Sequence, residues 1–168
     1  IPKKTVPAQD LFFDLLKERA ETGRIYIMNL DHCNSHSSFK DKVSMSNLCQ
    51  EITLPTTPIQ DIHDEQGEIA LCILSAVNVG GLNDLSELEN ICDLSVRALE
   101  QIIDYQDYPV KAAEVSTKKR RSLGIGYIGL AHYLAKNGVK YSDPKAWDLV
   151  DRLTEAFQYN LLRASCNI

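Results

Sequence analysis

The feature that most constrains this chain is an apolar run, IALCILSAVNV at residues 69–79, stopped by Gly80-Gly81 and followed by a long amphipathic stretch. The run is too short to cross a bilayer, which takes about 20 residues. It reads as a buried strand over Glu68–Val79. A strand apolar on both faces needs helices on both faces, and this arrangement belongs to parallel sheets. The stretch that follows supplies one such helix. It is capped by Asp84 or Ser86 and reaches about Tyr105, with Leu88, Ile91, Leu94, Leu99 and Ile102 on its apolar side.

The same alternation recurs along the chain. Ala8–Glu21 has Leu11, Phe12, Leu15 and Leu16 at helical spacing, with Gly23 as a stop. Arg24–Leu30, rich in β-branched and aromatic residues, reads as a strand. Asp31–Val43 and Pro55–Gly67 read as polar loops, and Ser46–Leu54 as a short strand ended by Pro55 and Pro58. After Pro109 comes a shorter polar stretch, then the basic run Lys118–Arg121, which reads as a solvated turn. A glycine-rich segment, Leu123–Gly129, leads into a helix ending near Asn137-Gly138, and Ser142–Asn167 forms a last helix with Asp143 and Pro144 at its start. Strands alternating with helices make the class α/β. So few strands in 168 residues look like part of a sheet, and both chain ends look cut from something longer.

Composition narrows the function classes. Hydrophobic residues make up 44% and charged residues 24%, an ordinary globular balance. The net charge of −5 gives no basic footprint for nucleic acid. No segment suggests a membrane span or a secretory signal, so a cytoplasmic, reducing setting is expected. The five cysteines, Cys33, Cys49, Cys72, Cys92 and Cys166, are irregularly spaced with no CxxC pair, which argues against structural zinc. His32, Cys33 and His36 suggest a metal, but no fourth ligand is evident. GIGYIG at residues 124–129 matches GxGxxG, but without a preceding apolar strand or a suitably placed acid it reads as glycines that let a strand pack closely against a helix.

The segment that carries chemistry is Met45–Ile52. In an extended chain Asn47, Cys49 and Glu51 line one face, about 6–7 Å apart at Cα. An amide, a thiol and a carboxylate in a row suit sulfur chemistry beside a general base. A half-exposed strand with a chance cysteine is the plainer alternative.

SNLCQEI, with GRIYIMNLDHCNSH before it and GEIALCILSAVNVGG after it, resembles the core of the class I ribonucleotide reductase large subunit. RRSLGIGYIGLAHYLAKNG resembles that family's next block, and the likeness keeps one register from about Asp10 to Ser165. The resemblance implies that residues 1–168 are an internal fragment of a ten-stranded α/β barrel whose radical cysteine sits in a dry pocket at the tip of a loop. It implies that Cys49 becomes a thiyl radical and abstracts the 3′-hydrogen of the substrate ribose. Glu51 would take the 3′-hydroxyl proton, and Asn47 would hydrogen-bond the ribose hydroxyls. Cys72 would be one of two cysteines that reduce the 2′ position and end as a disulfide; its partner is upstream of this segment. Cys33, Cys92 and Cys166 match no catalytic cysteine.

The implied partners are the remaining segments of the large subunit, a small subunit whose dimetal centre generates the radical, thioredoxin or glutaredoxin, and a ribonucleoside diphosphate. Nucleotide effectors are implied for the whole enzyme, and no cofactor is expected on this fragment. Two other readings are an assembly module without catalysis and a free-standing thiol–disulfide oxidoreductase using Cys49 and Cys72. The missing CxxC weakens the second.

Overall fold

The computed structural model describes residues 3–168 and divides into two compact units, the first ending at Thr56 and the second running Thr57–Ile168.

In the first unit, α1 (Ala8–Thr22) starts after Pro7 and stops at Gly23, whose φ of 65° places it in the left-handed region and lets its N–H bond Arg19 O. Its apolar residues Leu11, Phe12, Phe13 and Leu16 are all exposed. The strand expected over Arg24–Leu30 does not form: residues 24–29 are irregular and Leu30 opens a short helix, α2 (Leu30–Ser35), where a loop was expected. β-propensity yields a strand only where a neighbouring ladder takes up the backbone donors and acceptors. Asn34 on α2 closes the following loop: its amide nitrogen donates to Leu30 O and Val43 O, and its oxygen accepts from Val43 N. Val43 is fully buried.

The second unit is built on a βαβ arrangement. β1 (Ile73–Asn78) and β2 (Leu123–Ile128) pair in parallel, Ile73 opposite Leu123 and Asn78 opposite Ile128. Parallel strands need a long crossover. Here it is a 3-10 turn (Val79–Gly81), a second 3-10 turn (Leu85–Glu87), α3 (Leu88–Tyr105) and α4 (Lys111–Arg120). Asp84 caps the second turn, its side chain accepting from Ser86 N at 2.8 Å. α5 (Leu130–Lys136) and α6 (Pro144–Cys166) complete the unit, α6 beginning on Pro144 as expected.

The buried stripe of α3 is Leu88, Cys92, Val96, Leu99 and Ile103. This corrects the expected one: Leu94 and Ile102 face solvent, because α6 and the sheet select the face that they cover. Val77, Val79, Leu82, Leu88, Cys92, Leu153 and Phe157 form the core, with Ile125 and Tyr127 of β2 packed against it. Tyr127 meets Phe157 edge to face, 5.6 Å between ring centroids. Each fully buried leucine in this cluster contributes on the order of 1.5–3 kcal/mol.

Helices cover only one face of the two-stranded sheet. Ile73, Ser75 and Val77 point inward, whereas Leu74, Ala76 and Asn78 are exposed. The expected strand over Glu68–Val79 is therefore shorter and one-sided, and among the described residues the parallel sheet has two strands.

The basic run is not a solvated turn. Lys118–Arg120 close α4, and Arg121 follows with φ 47°. Arg121 ion-pairs with Glu100 and, at 2.8 Å, with Asp104, which joins the end of α4 to α3.

Candidate functional site

Asn47, Cys49 and Glu51 lie on a tight turn, not on an extended face. Gln50 N donates to Asn47 O at 3.1 Å, so residues 47–50 form a β-turn with Leu48 and Cys49 at its centre. Asn47 N donates to Ile52 O at 3.3 Å, and Ile52 N donates to the Asn47 side-chain oxygen at 2.9 Å. Gln50 has φ 65°, the left-handed conformation the reversal requires. The alternation that put the three side chains on one strand face is thus overturned. Asparagine bonds its own neighbouring backbone and favours turns, and this local bonding outweighs the strand-like pattern of Ser46–Leu54.

The turn still brings the three groups into one short loop. Cys49 is exposed at its tip, and Glu51 is exposed as well. The bond to Ile52 uses the oxygen of the Asn47 amide, not its NH2 group.

Cys72 belongs to the second unit, one residue before β1. It is half-buried, and burial pushes its thiol pKa up, so the group is a protonated thiol at neutral pH. Its place is set from both sides. Ile73 N donates to Ser122 O, and upstream Ile69 N donates to Ala112 O. Farther upstream, Glu68 N and O bond Thr57 O and N.

Glu68 is a residue the sequence reading passed over. It is buried, and its carboxylate receives Lys119 and Arg120. Burial pushes its pKa up, but the hydrogen bonds from the two cations outweigh that and hold it below the usual glutamate value. The available signal was a carboxylate opening an apolar run together with an unabsorbed basic cluster some 50 residues on.

The glycine motif is also resolved. Gly124 and Gly126 lie inside β2 and not in the turn after it, as a dinucleotide loop would need. Gly124 packs against the neighbouring strand, not against a helix. Gly129, with φ 80°, makes the strand-to-helix turn against Asn78 and Gly80. Cys92 is a core residue of α3. His36 bonds Ser35 and the carbonyl of His32. Among the described residues, no cluster of three or more His, Cys, Asp or Glu could hold a metal, and no helix is long and apolar enough to cross a membrane.

Comparison with known proteins decides the family. The family model for the ribonucleotide reductase barrel domain matches residues 1–168. The chain belongs to the ribonucleotide reductase barrel-domain family. Curated relatives agree. The chain is 59% identical to the ribonucleoside-diphosphate reductase subunit alpha of Haemophilus influenzae, over all of this chain and 23% of the relative. It is 56% identical to the protein of that name from Buchnera aphidicola subsp. Schizaphis graminum, covering 100% of this chain and 22% of the relative. It is 54% identical to ribonucleoside-diphosphate reductase 1 subunit alpha of Escherichia coli, covering 98% and 22%. This barrel-domain chain therefore spans less than a quarter of the length of the reductases it matches.

Proposed function

We propose that the chain forms part of the catalytic barrel, ten-stranded when complete, of a cytoplasmic class I ribonucleoside-diphosphate reductase large subunit, and that it takes part in converting ribonucleoside diphosphates to deoxyribonucleoside diphosphates by thiyl-radical chemistry. The observation that carries this reading is the match over essentially the whole chain, at 54–59% identity, to subunits named for that reaction. The geometry suits it: a cysteine at the tip of a turn between an amide and a carboxylate, and a second cysteine half-buried just before β1.

In this reading the dimetal centre of the small subunit supplies the oxidising equivalent that makes Cys49 a thiyl radical. Cys49 takes the 3′-hydrogen, breaking a C–H bond and forming S–H; the two bonds are similar in strength, so the exchange is reversible. Glu51 accepts the 3′-hydroxyl proton. Asn47 donates from its NH2 group to a ribose hydroxyl while its oxygen keeps holding the turn through Ile52. The 2′-hydroxyl leaves as water. Cys72 and an upstream cysteine give up two electrons and two protons and become a disulfide, which thioredoxin or glutaredoxin reduces. One proton leaves in the water and the other ends on C2′. Glu51 returns its proton to the 3′ oxygen, and Cys49 returns the hydrogen to C3′, which restores its thiyl radical. The remaining segments of the large subunit close the barrel, shield the Cys49 turn from water and carry the nucleotide-effector sites.

The test is the complete large subunit carrying Cys49→Ser, assayed with its radical-generating partner. Deoxynucleotide formation is abolished while substrate binding persists, because the serine O–H bond is too strong to replace S–H. Glu51→Gln slows the reaction by about 10²–10⁴-fold. Measurable reduction by Cys49→Ser would overturn the assignment.

A further inference from the structure

The thiol of Cys72 lies over a gap in the neighbouring strand. Gly124 of β2 faces Leu74 across the parallel register, and the sulfur of Cys72, just before β1, lies beside the same glycine. A methyl group on Gly124 would stand 3.0 Å from Cys72 Sγ and 2.5 Å from Leu74 Cδ2. The approach to Leu74 is closer than real side chains allow, so the leucine end must move, and the approach to the sulfur is tight enough that it must give by a few tenths of an ångström. Gly126 is two residues along the same strand and faces the same way, yet a methyl group there would meet nothing within 4 Å. Gly124 also has an ordinary negative-φ backbone, so no turn or left-handed conformation requires glycine at this position. The missing side chain therefore has a local use, and the atoms that occupy the space belong to Leu74 and Cys72.

The geometry points to Gly124 as a positioning residue for Cys72: the bare Cα on β2 is the clearance that holds the thiol where it can close a disulfide. This rests on the reading of Cys72 as a reductant of the substrate. In that step Cys72 and its partner lose two protons and two electrons as the S–S bond forms; the electrons pass to the 2′ carbon, one proton leaves with its hydroxyl as water, and the other ends in the new C2′–H bond. Disulfide closure tolerates only a narrow range of Cβ separations and torsions. A displaced sulfur therefore hampers this step and leaves substrate binding untouched.

The experiment uses the complete large subunit with its radical-generating partner and thioredoxin. In Gly124→Ala, kcat falls, by less than the roughly 10²-fold that a 1 Å misplacement can cost, because the sulfur gives by a few tenths of an ångström, while KM for the ribonucleoside diphosphate stays unchanged. In the reduced, substrate-free subunit, Cys72 of that variant reacts more slowly with iodoacetamide, followed by peptide mass spectrometry, because the added methyl fills one side of the thiol. Gly126→Ala changes neither the iodoacetamide rate nor the KM. Should Gly124→Ala fold poorly, Leu74→Ala/Gly124→Ala compared with Leu74→Ala alone removes the leucine clash and isolates the sulfur contact; the slower alkylation persists. Equal Cys72 alkylation rates in each of these pairs, or an unchanged kcat in Gly124→Ala, overturn the proposal. Slower alkylation of Cys72 in Gly124→Ala, combined with normal multiple turnover by Cys72→Ser, supports the contact and overturns the reductant reading beneath it.

Discussion

Glu68 and Arg120 meet 2.7 Å apart with both side chains almost wholly withdrawn from solvent. This pair joins the segment that leads into Cys72 to the last turn of α4, across 52 residues of chain. Lys119 bonds the same carboxylate from a more exposed position, so the Arg120 contact dominates.

Removing the carboxylate breaks a buried ion pair by taking away one of its members. Glu68→Ala should destabilise the second unit by about 3–5 kcal/mol, measured by denaturant unfolding. The pH dependence has a definite sign. The folded-state pKa of Glu68 lies below the ordinary value of 4.5, so its contribution is complete above that value and is lost as pH falls through it toward the folded pKa. Glu68→Gln should flatten that part of the stability–pH curve; an unchanged acid limb would disprove the linkage.

The Cys49 turn depends on the oxygen of Asn47. Asn47→Ala should loosen the turn by about 0.5–1.5 kcal/mol, seen as faster hydrogen exchange at the Ile52 amide. Asn47→Asp keeps an acceptor for Ile52 N and should preserve the turn, yet it loses the NH2 donor proposed for the ribose. Equal exchange at Ile52 in all three proteins would show that the side-chain bond does not hold the loop.

Cys72→Ser in the complete enzyme should leave the fold nearly intact, since the side chain is half-buried and the change is almost isosteric. Repeated turnover with thioredoxin should stop. Normal steady-state rates in that variant would refute its part in the disulfide.

The isolated chain should self-associate and unfold over a broad range. Among the described residues the sheet has two strands, its uncovered face exposes Leu74 and Ile128, and α1 exposes Leu11, Phe12 and Phe13. Sedimentation and thermal unfolding check this; a monomer with one sharp transition contradicts it.

Sequence periodicity and punctuation determined the class and the helices α1, α3, α5 and α6, but not α2 or α4, which fall where a loop and a polar stretch were expected. α1 between Pro7 and Gly23, α3 behind Asp84 and α6 from Pro144 are legible because helical hydrogen bonds and caps are local, so the residues that make them are neighbours in the chain. The family-bearing blocks around Cys49 and Cys72 were legible for a different reason: their residue order matches a family over the whole chain. Tertiary structure alone decided which strands exist. Arg24–Leu30 has strand-like residues and forms none, while Leu123–Ile128, read as a glycine-rich segment packing a strand against a helix, pairs instead with β1, because a strand is completed by a partner distant in sequence. It also decided that Ser46–Leu54 reverses at Cys49, where the side chain of Asn47 competes with any ladder. The joining of Glu68 to Arg120 and the space that Gly124 leaves for Cys72 are likewise contacts across some 50 residues, invisible until the chain folds back on itself.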